Sequence, residues 1–170
     1  MLRVVGIVAL FVLATACGQT TVQTVASPSP VIAEGNWAQS LTFAGDVPGQ
    51  MSAIVPDTGD VKSECTGQKT HVGDVWADTF YGTLDTSGDV WGVVFDIANF
   101  SGPGSYVDGA VIVEMHNADA TKVWQSRQGD KITFTMDRNQ QSGTIDATMT
   151  NATSGKAAAQ HIMGRWNCRG

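Results

Sequence analysis

Residues 79–97 read TFYGTLDTSGDVWGVVFDI, two runs rich in β-branched and aromatic residues on either side of a polar segment. Runs of this kind bounded by Gly, Asp and Ser are typical of β-strands. The TSGD segment between them (86–89) suits a tight hairpin turn. The stretch therefore predicts an antiparallel hairpin with strands at Thr79–Leu84 and Val90–Ile97. The second run is almost continuously apolar, which favours a central position in a sheet.

The same pattern continues over the rest of the chain. In KITFTM (131–136), apolar Ile132, Phe134 and Met136 alternate with polar residues, which is the period of a half-buried strand. Further strands are predicted at Trp37–Phe43, Gln50–Val55, Val107–Met115, Lys131–Met136, Thr144–Met149 and His161–Cys168. Only SGKAAAQH (154–161) hints at a helical turn. We therefore expect an all-β domain over residues 35–170, folded as a single antiparallel β-sandwich of about eight strands.

The tripeptide Gly-Asp-Val occurs four times, at 45–47, 59–61, 73–75 and 88–90. Glycine adopts positive φ angles in turns, and aspartate bonds the nearby backbone there. The recurrence therefore predicts similar turns between strands rather than tandem repeats. The alternative is a calcium site built from Asp57, Asp60, Asp74 and Asp89, although the spacing of an EF-hand loop is absent.

The first 16 residues, MLRVVGIVALFVLATA, have the features of a secretory signal: a basic residue, Arg3, then an apolar run and a small-residue cleavage site. The apolar run is shorter than the roughly 20 residues that a membrane-spanning helix needs. With Cys17 immediately after it, the segment resembles the lipobox of bacterial lipoproteins. The resemblance implies that Cys17 becomes the lipidated first residue. The protein would then be anchored on the outer side of the cytoplasmic membrane or in the outer membrane. The alternative is an ordinary secretory peptide with an incidental cysteine.

Residues 17–34 are rich in Thr, Ser and Pro and show no folding periodicity, which indicates a tether. A lipobox, a tether and a β-domain ending in a cysteine together resemble the small two-cysteine lipoprotein antigens of bacterial envelopes. This resemblance implies a location and a fold, and no catalytic residues. The GNW at 35–37 resembles the start of lipocalin-like barrels, in which Trp37 would lie beneath Arg165. It implies a β-barrel as the alternative fold and transport of a small apolar molecule as the alternative function.

Lipidation of Cys17 leaves Cys65 and Cys168 as an even pair. Because exported compartments permit disulfides, we expect one bridge joining the last strand to an early one. Two buried free thiols are the alternative. Two cysteines alone do not make a zinc site, and we expect no metal or other cofactor.

The charge and the motifs limit the possible functions. Loss of Arg3 with the signal leaves nine basic and 16 acidic residues, a net charge of −7. This argues against nucleic acid, which is bound through phosphate neutralisation. It also leaves the lipid as the means of membrane attachment. No hydrolase, nucleotide-binding, metalloprotease or C-x-x-C motif is present. His71, His116 and His161 lie in separate segments, and His116 and Asp119 are a pair that could meet. We therefore expect no enzyme activity, with an enzyme lacking a recognisable motif as the alternative.

Aromatic residues are the possible ligand-binding features. In ANFSGPGSYVDG (98–109), Phe100 and Tyr106 flank a tight glycine-proline reversal. They could hold a sugar ring or a peptide, or else close the end of the core. Trp76 and Trp124 lie in polar surroundings, and we expect them to be partly exposed, unlike the core residues Trp37, Trp91 and Trp166. The sequence thus predicts a non-catalytic binding or structural protein whose partner is an envelope protein, a glycan or a small apolar ligand.

Overall fold

The computed structural model describes residues 39–168, and the predictions for Cys17, the signal segment, the tether and Trp37 lie outside this range. Eleven strands form within it. They are β1 (Ser40–Gly45), β2 (Gly49–Met51), β3 (Glu64–Cys65), β4 (Trp76–Thr83), β5 (Val90–Ile97), β6 (Gly104–Val107), β7 (Ile112–Asn117), β8 (Val123–Gln125), β9 (Ile132–Met136), β10 (Ser142–Asn151) and β11 (Gln160–Asn167). No helix among the described residues is long and apolar enough to cross a membrane.

The strands form one antiparallel, curled sheet. Its hydrogen-bonded order is β2-β1-β11-β10-β8-β7-β5-β4-β3, and β9 adds to β10 and carries β6 on its other side. The segment after β2 reaches the opposite end of this order, since Ile54 forms a β-bridge with Gly82 and the Val55 N–H donates to the Tyr81 carbonyl at 2.8 Å. The predicted all-β, antiparallel class is confirmed, with eleven strands in place of about eight.

The hairpin predicted from residues 79–97 is present as β4 and β5. The two strands pair in register from Trp76 opposite Ile97 to Thr83 opposite Val90. Side chains on β4 alternate strictly between the core and the outer face, as do those on β9. This agrees with the period of two that half-buried strands follow.

Several boundaries differ from the predicted ones. The strand expected over Val107–Met115 is divided into β6 and β7 by a turn, in which the Ala110 N–H donates to the Val107 carbonyl at 2.9 Å. Gly109, at φ 81°, takes the left-handed conformation that this turn requires. The short strands β3, β6 and β8 were not predicted as separate elements. The segment expected to hint at a helix forms a turn between β10 and β11.

The Gly-Asp-Val tripeptides mark turns, as predicted. Their four glycines all have positive φ angles: 118° at Gly45, 57° at Gly59, 92° at Gly73 and 73° at Gly88. Because residues with a β-carbon rarely adopt these angles, glycine is the residue that allows each chain reversal.

A cluster of aromatic side chains fills the inside of the curl. Phe134 stacks on Trp166 with ring centroids 5.1 Å apart, and it also contacts Phe95 at 5.2 Å and Trp76 at 5.8 Å. All four rings are completely buried. Burial of such large apolar surfaces is the main stabilising contribution to a domain of this size.

Candidate functional site

The four aromatic residues predicted as ligand contacts lie in the core. Trp76 is 0% exposed, Phe100 2%, Trp124 4% and Tyr106 5%. The expected partial exposure of Trp76 and Trp124 is wrong. Trp76 is the first residue of β4 and faces inward against Trp166, and Trp124 packs on Trp91 with ring centroids 5.7 Å apart.

The loop aromatics hold the chain reversal together. The Tyr106 hydroxyl donates to the Gly102 carbonyl at 2.6 Å and accepts from the Ser101 N–H at 3.1 Å. The ring of Tyr106 packs edge-on to Phe134, which attaches the loop to the core. The structure therefore agrees with the interpretation that these two aromatics close the core, because their faces are not at the surface.

The predicted disulfide is present between Cys65 in β3 and Cys168, the residue after β11. Their Cα atoms are 6.1 Å apart. The bridge links the β3 end of the sheet to β11, which are far apart in strand order. Cys168 is 1% exposed, whereas Cys65 is only half-buried.

Asp78 is the most unusual polar residue in the core. It lies on the inner face of β4 between Trp76 and Phe80 and is 0% exposed. Neither of its carboxylate oxygens has a hydrogen-bond partner within the described part of the chain. Burial without compensating contacts disfavours the charged form, and this raises the pKa of Asp78 well above its ordinary value. The polar residue in the local sequence WADTF gives no sign of this burial.

The histidine–carboxylate pairs do not converge in a cleft. His116 is buried beside Tyr81, and its Nδ1 lies 2.9 Å from the Asn117 carbonyl. Asp119 instead accepts hydrogen bonds from Thr121 and Asn117. These hydrogen bonds lower the pKa of Asp119, and those from Thr121 have a larger effect than the one from Asn117. His161 does contact Asp146 at 2.8 Å, on an outer face of the sheet. The meeting of His116 and Asp119 considered from the sequence does not occur.

The residues considered for calcium binding, and Arg165, have other environments. Within residues 39–168, none of the four aspartates considered for calcium belongs to a close group of three or more side chains with metal-ligating atoms. The one such group is Cys65, Asp78 and Cys168, and its two sulfur atoms are joined in the disulfide. Asp57 accepts a hydrogen bond from the Ser63 N–H at 3.0 Å. Arg165 forms an exposed ion pair with Asp137 at 3.6 Å.

Two adjoining hollows flank the turn between β6 and β7. The larger, about 260 Å³, lies between this turn and residues 126–129. The smaller, about 130 Å³, lies between the turn and residues 96–99. Gly109 and Ile112 line both hollows. A third hollow of about 380 Å³ lies elsewhere, beside Trp91 and Asn117–Asp119.

An exposed apolar side chain lies between the paired hollows, with polar groups on either side of it. Ile112 is 44% exposed between them. The exposed Arg127 lies at the rim and forms no ion pair with any described residue. On the other side, the Asp96 Oδ1 atom is buried without a hydrogen-bond partner among residues 39–168.

Further exposed apolar side chains lie on the turn that forms these hollows and on a loop that is hydrogen-bonded to one of their other segments. Val107 (56% exposed) and Ile112 flank the turn. Val72 (83%) and Val75 (53%) belong to the loop before β4, which two backbone hydrogen bonds join to Phe100: Gly73 N–H to the Phe100 carbonyl and Phe100 N–H to the Asp74 carbonyl. We call the surface formed by residues 72–75, 96–100, 107–112 and 126–129 the turn surface. It carries four of the five exposed large apolar side chains identified in the described chain.

No protein-family model matches the chain, and no curated protein or solved structure is significantly similar to it.

Proposed function

We propose that this chain is a lipid-anchored protein of a bacterial envelope whose β-domain binds a protein partner through the turn surface, without catalysing a reaction. The observation that supports the envelope location best is the Cys65–Cys168 disulfide. Disulfides persist in oxidising, exported compartments, which is where a signal segment would direct the chain. Of the three cysteines in the sequence, the bridge uses two, and the one left is Cys17 at the end of the lipobox-like segment.

The turn surface supports a protein as the partner. Clustered exposed apolar side chains rimmed by polar groups are typical of protein–protein interaction sites. Here Val107 and Ile112 are the apolar centre, and Arg127, Gln128 and Asp108 lie at the rim. Among residues 39–168, every Phe, Tyr and Trp side chain except the half-buried Tyr81 is buried, which leaves little exposed ring surface on which a sugar could stack. A glycan is therefore the less favoured ligand.

The two alternative functions have less support. A carrier of a small apolar molecule needs an apolar internal cavity, whereas Phe95, Phe134 and Trp166 fill the inside of the curled sheet. An enzyme would be favoured by a histidine and a carboxylate directed into one cleft. The contact between His161 and Asp146 lies outside the three hollows described above.

Site-specific photo-crosslinking in intact cells tests the turn surface. A photoreactive residue placed at Ile112 should give a discrete higher-mass adduct, because this side chain is at the centre of the proposed interface. The matched control is the same residue at Met163 of β11, which is similarly exposed (40% against 44%) and is not part of the turn surface. Mass spectrometry of the adduct then identifies the partner. Equal crosslinking at both positions, or none at Ile112, would contradict the proposed interface.

A further inference from the structure

The buried carboxyl group of Asp78 lies beside the disulfide. Cys65 and Asp78 are directly opposite each other in the β3–β4 ladder. A carboxylate oxygen of Asp78 and the Sγ atoms of Cys65 and Cys168 all lie within 4.8 Å of one another. A buried polar group without a partner is costly and requires an explanation. The neighbouring sulfur atoms provide one, because thiols release and take up protons when a disulfide forms or opens.

We propose that Asp78 is the proton donor and acceptor of the Cys65–Cys168 pair and that this pair is an exchangeable disulfide. The burial of the two sulfurs sets the order of events. Cys65 is the less buried of the two residues and is therefore the one attacked, while Cys168 is buried next to the carboxyl group and becomes the leaving thiol. In the folded protein, burial raises the pKa of the carboxyl group well above its ordinary value, which favours the protonated form that can donate a proton.

The reaction with an external dithiol is balanced. One thiolate of the dithiol attacks the Cys65 Sγ, the protein S–S bond breaks, and Cys168 leaves as a thiolate that takes the proton from Asp78. The second sulfur of the dithiol then attacks the first, and Cys65 leaves as a thiolate that takes the proton released by that second thiol. The Asp78 carboxylate regains a proton from water, equal to the one that the first thiol released when it ionised. The protein disulfide gains two electrons and two protons, and the dithiol becomes its own disulfide. In the reverse direction the Asp78 carboxylate accepts the Cys168 proton.

Burial is the cause of the pKa shift of Asp78, and no charged group among the described residues contributes to it. In the ladder Asp78 is opposite Cys65 of β3 and Phe95 of β5, Trp76 and Phe80 share its face of β4, and the Cys168 Sγ atom lies within 4.8 Å. Apart from the cysteines once they are reduced, none of these side chains titrates. The pH dependence of the reaction at this site therefore reports on Asp78.

The test is the rate at which dithiothreitol reduces the folded, oxidised protein between pH 5 and 9, without denaturant. The free thiols are trapped by alkylation and counted by mass spectrometry. Each rate is divided by the concentration of the dithiothreitol thiolate, which removes the titration of the reagent. The variants are Asp78→Asn and, as a matched control, Asp146→Asn. Asp146 is an exposed residue of β10 that contacts His161 and belongs neither to the turn surface nor to the group of Cys65, Asp78 and Cys168.

Proton donation by Asp78 predicts a normalised rate that falls at least about tenfold as pH rises and the carboxyl group ionises, since general acids contribute about 10²- to 10⁴-fold. The Asp78→Asn variant should be slow and independent of pH, and Asp146→Asn should follow the wild-type profile.

Reduction through unfolding gives the opposite slope. Ionisation of Asp78 destabilises the fold, so exposure of the disulfide by unfolding would make the normalised rate rise with pH. A rising wild-type profile would overturn the proposal, and it does so without depending on whether Asp78→Asn folds. An unchanged rate and profile in a folded Asp78→Asn variant would overturn it as well.

Discussion

Removal of the Cys65–Cys168 bridge should cost this domain a large part of its stability. The bridge joins residues 103 positions apart. In the chain-entropy description, a crosslink that closes a loop of this length destabilises the unfolded chain by about 4.7 kcal/mol. The Cys65→Ala/Cys168→Ala double variant also loses two sulfur atoms, one of them in the buried Cys168. The lost hydrophobic contacts lower the free energy of unfolding by about 1 kcal/mol more. Since domains are typically stable by about 5–15 kcal/mol, little stability should remain.

Urea unfolding followed by tryptophan fluorescence measures this loss on residues 18–170. The control is the wild-type sequence reduced and kept reduced, which lacks the crosslink but retains both sulfur atoms. The reduced wild type should unfold about 4–5 kcal/mol more readily than the oxidised protein, and the double variant about 5–6 kcal/mol more readily. A loss below about 1 kcal/mol in both would refute the reasoning, because it would mean that the bridge does not restrict the unfolded chain.

Two further substitutions test the core. Asp78→Asn should raise the free energy of unfolding relative to wild type by an amount that grows with pH. Burial raises the pKa of Asp78 in the folded state. Its contribution to the free energy of unfolding of the wild type is therefore fully present below the unfolded pKa of about 3.9 and is lost as pH rises through the folded pKa. Urea midpoints at pH 5 and pH 8 check this, and an equal shift at both would contradict it. Phe134→Ala should cost about 3–5 kcal/mol because Phe134 is fully buried among four aromatic rings, while Val72→Ala, at an 83% exposed position, should change the stability by less than about 0.5 kcal/mol.

Local patterns in the sequence were sufficient to predict part of the fold. The β4–β5 hairpin and β9 have the period of two that follows from one buried face, and the Gly-Asp-Val glycines occupy the expected turns. The Cys65–Cys168 pairing followed from the number of cysteines once Cys17 was assigned to lipidation. Each of these features depends on residues that are close in sequence or few in number.

The burial of Trp76 could not be predicted in this way. Trp76, Asp78 and Phe80 share the inner face of β4, and the polar Asp78 interrupts what would otherwise be a recognisable apolar alternation. For this reason the predicted strand began at Thr79, three residues late. Local polarity around Trp124 was misleading for a similar reason, since its burial comes from contact with Trp91, which is distant in sequence.

The turn surface and the site at Asp78 depend on tertiary structure. The turn surface is assembled from four segments spread over residues 72–129, and no one of them is distinctive alone. Likewise, Asp78 becomes notable only because the ladder places it opposite Cys65 and the sheet brings Cys168 to the same place. Neither juxtaposition follows from the spacing of residues along the chain.

The mass of the mature N-terminus is the measurement that tests the proposed anchoring most directly. The full chain would be produced in a bacterium that processes lipoproteins, extracted from membranes with detergent and analysed intact and after proteolysis. The account predicts a first residue at Cys17 carrying a diacylglyceryl group, and release of the Cys17→Ser variant from the membrane fraction. An unmodified N-terminus in a protein that remains membrane-bound, or membrane attachment unchanged by Cys17→Ser, would contradict it.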